Sequence, residues 1–321
     1  MYAALVALAL VLVVPLLASE AQPQQTRTVV RIGWLHPAAS PPRGTFREAL
    51  HELGYIEGKN TVFETRLAEN NLDLLSALAV QLVGLKVDVI VAVGPHAIKA
   101  ANQATSTIPI IMAFWGTDGL IESRVVGSFA RPGGNVTGVY MLASELDAKR
   151  LELLLQAVPK AKTIAVLDPG LGFTLTQVQQ VAQASKAQLR IIDVPGDTGY
   201  DRAFESMIKA RVDALLVPSL PRFAQDRRRI VALAARHRIP AMYEWSAIAE
   251  EGGLMAYGPT QMELDRLVAG YVDKILRGTR PAELPIVQPT KFELLINMKT
   301  AKALGLSIPQ TLLERAERVI E

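Results

Sequence analysis

The amino-acid sequence predicts an α/β protein of two doubly wound, parallel-sheet lobes joined by a hinge of three crossovers. Three observations support this prediction. Short apolar runs lack in/out alternation, as strands buried on both faces of a sheet do. These runs alternate with longer segments of helical period. The alternation restarts half-way along the chain, and 321 residues are enough for two domains.

The first lobe is predicted from five strand-length runs separated by helical segments. The predicted strands are 30–35, 61–66, 87–93, 108–114 and 136–141. The predicted helices between them are 45–53, 71–85 and 95–104. Successive strand–helix–strand units of this kind build a parallel sheet with helices on its faces.

The second lobe is predicted from a repeat of the same pattern that follows a helix at 144–157. Its predicted strands are 164–168, 189–194, 214–218, 241–244 and 254–257. Its predicted helices are 174–187, 200–210 and 223–237. No sequence repeat relates the two halves, so their similarity is one of architecture.

The C-terminal remainder is too small to form a core of its own and must pack on the two lobes. It comprises a predicted helix at 260–277 that Gly278 ends, an extended segment through 292–297 and two short helices. The chain is then expected to pass between the lobes near Leu142, Tyr257 and Leu284. The predicted N-terminal lobe is 29–141 plus 258–284, and the predicted C-terminal lobe is 142–257 plus 285–321.

The first 21 residues are predicted to be a secretion signal peptide. The apolar run from Ala3 to Leu17 is short for a membrane span, and the small residues Ser19 and Ala21 suit cleavage before Gln22. No Lys or Arg precedes the run, and the alternative is an uncleaved membrane anchor. The expected location is the periplasm.

Composition excludes several classes of protein. The chain has no cysteine, which removes disulfides, thiolate metal sites, cysteine nucleophiles and a lipid-modified N-terminus. The formal charge is only +3, with 34 basic residues spread among 31 acidic ones. No nucleic-acid partner is therefore expected, and the basic run 227–229 is interpreted as a solvated helix face.

Motifs for catalysis, metals and cofactors are not found. The loop after the first strand, 36–40, has no glycine for a dinucleotide phosphate, and 54–60 is one residue short of a phosphate loop. There is no Gly-x-Ser-x-Gly elbow, and the four histidines have no partner at metal-ligand spacing. We expect no catalytic residue, no metal and no cofactor, and hence a protein that is not an enzyme.

The candidate ligand site lies at the loops that follow the strands. Ligands of open parallel sheets bind beyond the carboxyl ends of the strands, and two lobes can direct those ends at one cleft. The loops contain Trp, Phe, Pro and small polar residues and few charges, as a small-molecule pocket does. The candidate ligand-binding residues are His36, Ser40, Gly94, Pro95, His96, Trp115, Thr117, Asp118, Asp168, Phe173, Ser219, Tyr243 and Trp245.

Three roles within this set are open to two interpretations each. Gly94-Pro95-His96 opens a helix whose N–H groups are suited to a carboxylate, or it is an ordinary strand-to-helix turn. Asp118 either pairs with a ligand ammonium or is a turn residue. The four aromatic residues of the set either stack on an apolar ligand or pack between the lobes.

Five segments resemble one family, the ABC-transporter substrate-binding proteins, whose well-known members bind aromatic amino acids such as tryptophan or phenylalanine. The segments occur in the same order along the chain and span most of it; they are 52–60, 103–110, 130–138, 253–259 and 288–297. The resemblance implies the type I periplasmic binding-protein fold, a hinge between lobes, and a membrane permease with its cytoplasmic ATPase as partners. A monomer is expected.

The chain departs from the family pattern in the predicted cleft. The family's Gly-Asp-Pro-Val loop is replaced by Gly116-Thr117-Asp118-Gly119-Leu120, Asn-Pro by Asp168-Pro169, and a Pro-Asp-Pro-like turn by 218–221. These changes leave the solute open. The predicted function is the periplasmic solute-binding component of an ABC importer, which closes around a small molecule in the cleft between the lobes. An amino acid or an aromatic acid is the candidate solute, and the alternative function is a ligand-sensing module for a membrane receptor.

Overall fold

The structure is a computed structural model that describes residues 29–113, 125–168, 175–194 and 199–321. Within these ranges the N-terminal lobe has a five-stranded sheet in the order β2-β1-β3-β4-β5, and every pairing is parallel. Its strands are β1 (Val30–His36), β2 (Thr61–Leu67), β3 (Val89–Val93), β4 (Ile110–Ala113) and β5 (Val136–Gly138).

Helices cover both faces of this sheet. They are α1 (Gly44–Glu52), α2 (Leu75–Gly84), which follows the 3₁₀ turn Leu72–Leu74, and α3 (Gly94–Ala104). One sheet face packs Trp34 and Val91 with α1, and the other packs Leu35 and Ile90 with α2 and α3. All five residues of β3 are buried, which explains why the strand is apolar without alternation.

The C-terminal lobe begins with α4 (Ala143–Ala157) and repeats the pattern. It continues through β6 (Thr163–Asp168), α5 (Thr176–Ala184), β7 (Gln188–Asp193), α6 (Gly199–Lys209), β8 (Ala214–Leu216), α7 (Pro221–Gln225), α8 (Arg227–Arg236), β9 (Ala241–Tyr243), α9 (Ser246–Glu250) and β10 (Met255–Pro259). The final elements are α10 (Gln261–Leu276), the 3₁₀ turn Pro281–Glu283, β11 (Phe292–Asn297), α11 (Met298–Ala303), α12 (Gln310–Leu313) and β12 (Arg318–Ile320).

The second sheet has seven strands among the described residues, in the order β12-β11-β10-β9-β8-β6-β7. Its pairings are parallel except for β10 with β11, which run antiparallel. The two α/β lobes with mainly parallel sheets agree with the predicted fold class. The antiparallel pair arises because β11 follows the excursion of the chain into the first lobe through α10.

Two parts of the second lobe differ from the sequence-based prediction. The helix predicted at 223–237 is two helices, α7 and α8, because Asp226 between them leaves helical geometry at φ −87° and ψ 8°. The Asp226 carboxylate accepts a hydrogen bond of 2.6 Å from the Tyr200 hydroxyl, which holds this break against α6. The edge strand β12 was not predicted, because a three-residue, largely exposed strand has no distinctive pattern.

The chain passes between the sheets at three places. It leaves the first sheet after β5, and it returns after β10 so that α10 packs on α1. The third passage follows Val287, which still bridges to Val139 of the first lobe. Ile286 likewise donates its N–H to the Phe129 carbonyl of the first lobe. Within the described ranges no helix combines the length and apolar character needed to cross a bilayer.

Candidate functional site

A cleft of about 420 Å³ lies between the carboxyl ends of strands from the two sheets. This volume is in the range of small-molecule sites. The first-lobe side of the cleft is lined by His36, Ala39, Ser40, Pro41, Arg43, Val93 and Gln261. The second-lobe side is lined by Ser219, Leu220, Pro221, Ala224, Gln225, Arg227, Glu244, Trp245, Ser246, Ala247 and Ile248.

His36, the last residue of β1, gives the first lobe a neutral polar group. Its Nδ1 lies 3.0 Å from the Ala38 N–H and 3.1 Å from the Ala38 carbonyl oxygen, and in the tautomer in which Nδ1 accepts from that N–H the ring proton is on Nε2. The pKa of His36 is lowered to about 4, mainly by burial and to a smaller extent by Arg43, against an opposing hydrogen bond with the Ala38 backbone. The imidazole is therefore uncharged near neutral pH and can donate a hydrogen bond to a ligand.

Arg43 stands at the edge of the cleft and is held from behind by α10. Its Nη2 donates to Asp265 Oδ1 at 3.1 Å, and its Nε donates to Oδ2 at 3.4 Å. Asp265 is fully buried and also accepts a hydrogen bond from the Thr45 hydroxyl. The guanidinium is thus fixed in place while about a third of its side chain remains exposed.

The second lobe places a buried ion pair behind the cleft. Arg150 of α4 donates from Nη1 to Asp147 Oδ1 at 2.5 Å and to the Ser219 hydroxyl oxygen at 2.5 Å. Its Nε donates to the Tyr257 carbonyl at 2.7 Å. Both charged side chains are essentially inaccessible. Among the described residues, Arg150 Nη2 and Asp147 Oδ2 have no hydrogen-bond partner.

Glu244 follows β9 directly and joins this cluster to the cleft. It is 6% exposed and lines the cleft itself. The net pKa of Glu244 is raised to about 7, mainly by burial and also by the nearby Asp147. Arg150, the hydrogen bond from the Ser219 hydroxyl and Arg43 oppose it. This carboxyl group therefore titrates in the physiological range, unlike an ordinary glutamate.

Direct contacts join the lobes at the rim of the cleft. The Gln225 Oε1 of the second lobe accepts the Ala39 N–H of the first lobe at 3.1 Å. Gly94 has φ +81°, a left-handed conformation that favours glycine, and a side chain there would meet Pro221 across the cleft. Trp245 packs against the cores of both lobes. The cleft is therefore narrow, with the lobes in contact.

The candidate ligand-binding residues fall into three groups: those that line the cleft, those that lie near it, and those outside the described residues. His36, Ser40, Ser219 and Trp245 line the cleft. The indole N–H of Trp34 positions Ser40 by donating to its carbonyl at 3.0 Å. Four further candidates lie outside the described residues, and their roles remain predictions: Trp115, Thr117, Asp118 and Phe173.

The remaining candidates are near the cleft but do not line it. Gly94, Pro95 and His96 begin α3 immediately after the lining residue Val93. Asp168 ends β6 and is not among the lining residues. Tyr243 is 1% exposed and packs in the core of the second lobe, whereas Glu244, the first residue beyond the carboxyl end of β9, lines the cleft.

Sequence reasoning did not single out Arg43, Glu244 or Gln261, or the Arg150–Asp147 pair behind them. Glu244 was counted as the last residue of a predicted strand. An acidic residue that ends an otherwise apolar run is nonetheless a signal, since a carboxylate at the carboxyl end of a parallel strand faces the ligand crevice. Among the described residues no group of three metal-ligating side chains comes together.

Comparison with known proteins places the chain among transport proteins. The family described as ABC transporter substrate binding protein matches residues 30–320. The chain belongs to the ABC transporter substrate-binding protein family. The resemblance noted in the sequence is thereby confirmed. Proteins of this family bind small-molecule solutes and work with ABC transporter permeases.

Individual relatives match most of the length of this substrate-binding protein. It is 26% identical over 280 residues to the "Tyrosine-binding protein" of Clostridioides difficile strain R20291, covering 84% of this chain and 78% of the relative. A Streptococcus pneumoniae ABC domain in complex with L-Trp is 25% identical with a TM-score of 0.79, covering 91% of this chain and 100% of that one.

Another solved structure, a conserved domain protein from Vibrio cholerae, has a TM-score of 0.81 at 23% identity and the same coverage of both chains. The ligand-free, open structure of a Clostridium difficile substrate-binding protein with adhesive properties is 24% identical, with a TM-score of 0.60 over 91% of this chain and 99% of that one. These last two likenesses show the fold.

Proposed function

We propose that this substrate-binding protein is the periplasmic component of an ABC importer and that it binds an amino acid with an aromatic side chain in the cleft. The observation that carries the proposal is that the two sides of the cleft present different polar groups, hydrogen-bond donors on the first lobe and a carboxyl group on the second. His36 and Arg43 of the first lobe are donors suited to a carboxylate. Glu244 of the second lobe is an acid suited to an ammonium.

The side chain of such a ligand has an apolar surface available beside these groups. Trp245, Leu220 and Ile248 of the second lobe line the cleft. An aromatic ring gains most from contact with another ring and with branched aliphatic side chains. A relative named for tyrosine and a relative solved with L-Trp support the same class of ligand.

Transport would follow from closure of the lobes. A ligand that touches both lobes stabilises the closed form, and a permease can recognise that form. The contacts of Gln225 and Trp245 across the rim support a closed arrangement in this structure. The proposal includes export to the periplasm, a monomer, a permease with its ATPase as partners, and no covalent step.

The binding part is tested with mature protein and a panel of amino acids, aromatic acids, nucleosides and vitamins. We expect L-tyrosine, L-tryptophan or L-phenylalanine to raise the melting temperature. At saturating ligand the free energy of unfolding should increase by a few kcal/mol. Isothermal titration then gives the affinity. A panel in which only sugars or nucleosides bind would refute the amino-acid assignment.

The importer part needs a separate measurement. Uptake of the radiolabelled ligand is compared in cells with and without the gene for this protein. Loss of uptake on deletion supports an importer, whereas unchanged uptake together with a lost transcriptional or behavioural response to the ligand supports the sensing alternative.

A further inference from the structure

Within the part of the chain that the structure describes, the cleft contains a buried acid, Glu244, that forms no ion pair with an arginine. Arg150 is paired with Asp147 at 2.5 Å, and Arg43 is paired with Asp265 at 3.1 Å. Both arginines lower the pKa of Glu244, so its carboxyl group interacts with each of them. It nevertheless forms no ion pair with any described residue. The cluster therefore lacks one positive charge when all three carboxyl groups are ionised.

An ionised Glu244 is costly unless something compensates it. The side chain is 6% exposed, so water replaces little of the missing interaction. The Ser219 hydroxyl donates its single proton to it and accepts from Arg150, so Ser219 provides one hydrogen bond and no counter-charge. Burying a carboxylate without a counter-charge is strongly unfavourable, and a cation delivered by a ligand would remove that cost.

We propose that Glu244 is the group that pairs with the ammonium of the ligand and that it loses its proton when the ligand binds. The inference rests on the proposed function and adds to it the specificity-determining residue and a coupling to pH. The free cleft tolerates a neutral Glu244, and the occupied cleft holds an ionised one. Ligands without a positive charge gain nothing from this position.

The surroundings of Glu244 define the pH range of the coupling. Its pKa of about 7 in the closed, ligand-free arrangement of this structure means that roughly half of the molecules must release a proton when a cationic ligand binds at pH 7. His36 remains neutral throughout this range because burial lowers its pKa to about 4. The charged groups that face or flank Glu244 are Asp147 and Arg150 on α4, Arg43 before α1 with its partner Asp265 on α10, and Arg227 on α8 with its partner Glu251.

The test is a titration of wild type and Glu244→Gln with L-tyrosine and L-tryptophan, and with 3-(4-hydroxyphenyl)propionate, which lacks the amine. The amide keeps the shape and the hydrogen bond to Ser219 but carries no charge. We expect Glu244→Gln to weaken amino-acid binding about 10- to 100-fold and to leave the propionate unaffected. Wild-type affinity for the amino acids should fall about tenfold from pH 8 to pH 6, and the variant should lose this dependence.

Calorimetry of the wild type in buffers of different ionisation enthalpy gives a second readout that needs no variant. Release of roughly half a proton per amino acid at pH 7 supports the proposal. Zero release, or amino-acid affinity unchanged in a folded Glu244→Gln protein, overturns it. So does a loss confined to Asp118→Asn, the candidate taken from the sequence. If neither amino acid binds the wild type, the proposed function fails and this inference fails with it.

Discussion

Replacing Glu244 by Gln should stabilise the ligand-free protein at alkaline pH and not at acidic pH. The folded-state pKa is about 7, against 4.5 for an ordinary glutamate. A carboxyl group with a raised folded pKa contributes its stability at low pH and loses it as pH rises from the unfolded value through the folded one. The window of change is therefore pH 4.5 to 7.

The size of the effect follows from linkage. A raised pKa costs the folded state about 1.4 kcal/mol per unit once the group is ionised in both states. For Glu244 the difference between pH 5 and pH 8 is then about 2 to 3 kcal/mol, and Gln does not titrate. Relative to wild type, the free energy of unfolding of Glu244→Gln should rise by that amount between the two pH values.

The assay is urea unfolding of both proteins at pH 5, 6, 7 and 8, after unfolding and refolding to remove any co-purified ligand. Glu48→Gln is the matched control, because Glu48 is exposed on α1. The free energy of unfolding of the control should differ from that of wild type by the same amount at every pH. If the difference between Glu244→Gln and wild type is also independent of pH, burial does not destabilise the ionised carboxyl group and the prediction is wrong.

Three further predictions concern the cluster, the rim and the aromatic residues. Arg150→Met should lower the free energy of unfolding by about 3 to 5 kcal/mol because it leaves the buried Asp147 without its counter-charge. The double variant with Asp147→Leu should regain much of this lost free energy. A double variant as unstable as the single one would contradict the prediction. Gln225→Ala should raise the radius of gyration of the ligand-free protein in small-angle scattering, whereas an unchanged value would show that this contact does not hold the lobes. In calorimetry, Tyr243→Phe should leave ligand affinity unchanged and Trp245→Ala should reduce it about tenfold. If affinity falls with Tyr243→Phe and not with Trp245→Ala, Tyr243 and not Trp245 contacts the ligand.

The fold was predictable because each strand can be recognised from its own residues. Strands such as β3 are buried on both faces and are continuously apolar, so they can be identified without knowing which elements pack against them. The break between α7 and α8 was not predictable in this way. It depends on Asp226 meeting the Tyr200 hydroxyl of α6, which lies 26 residues earlier in the chain.

The loops at the carboxyl ends of the strands were predicted, but the residues that face the cleft depend on where each strand ends. Tyr243 is the last residue of β9 and is buried in the core, whereas Glu244 is the first residue after the strand and lines the cleft. Asp147 and Arg150 posed a different difficulty. An acid and a base three residues apart on a helix are typical of an exposed ion pair, and only tertiary packing shows that this pair is buried.

The buried pair also links the cleft to the hinge. Arg150 lies on α4, which begins just after the first passage between the lobes, and it donates to the carbonyl of Tyr257, just before the second passage. Gly258 next to it has no room for a side chain against the Glu244 carbonyl. Arg43 belongs to the other lobe and lowers the pKa of Glu244 only while the lobes are close. Closure and ligand charge therefore favour the ionised form of Glu244 together, because closure brings Arg43 near the carboxyl group and a cationic ligand adds a second positive charge.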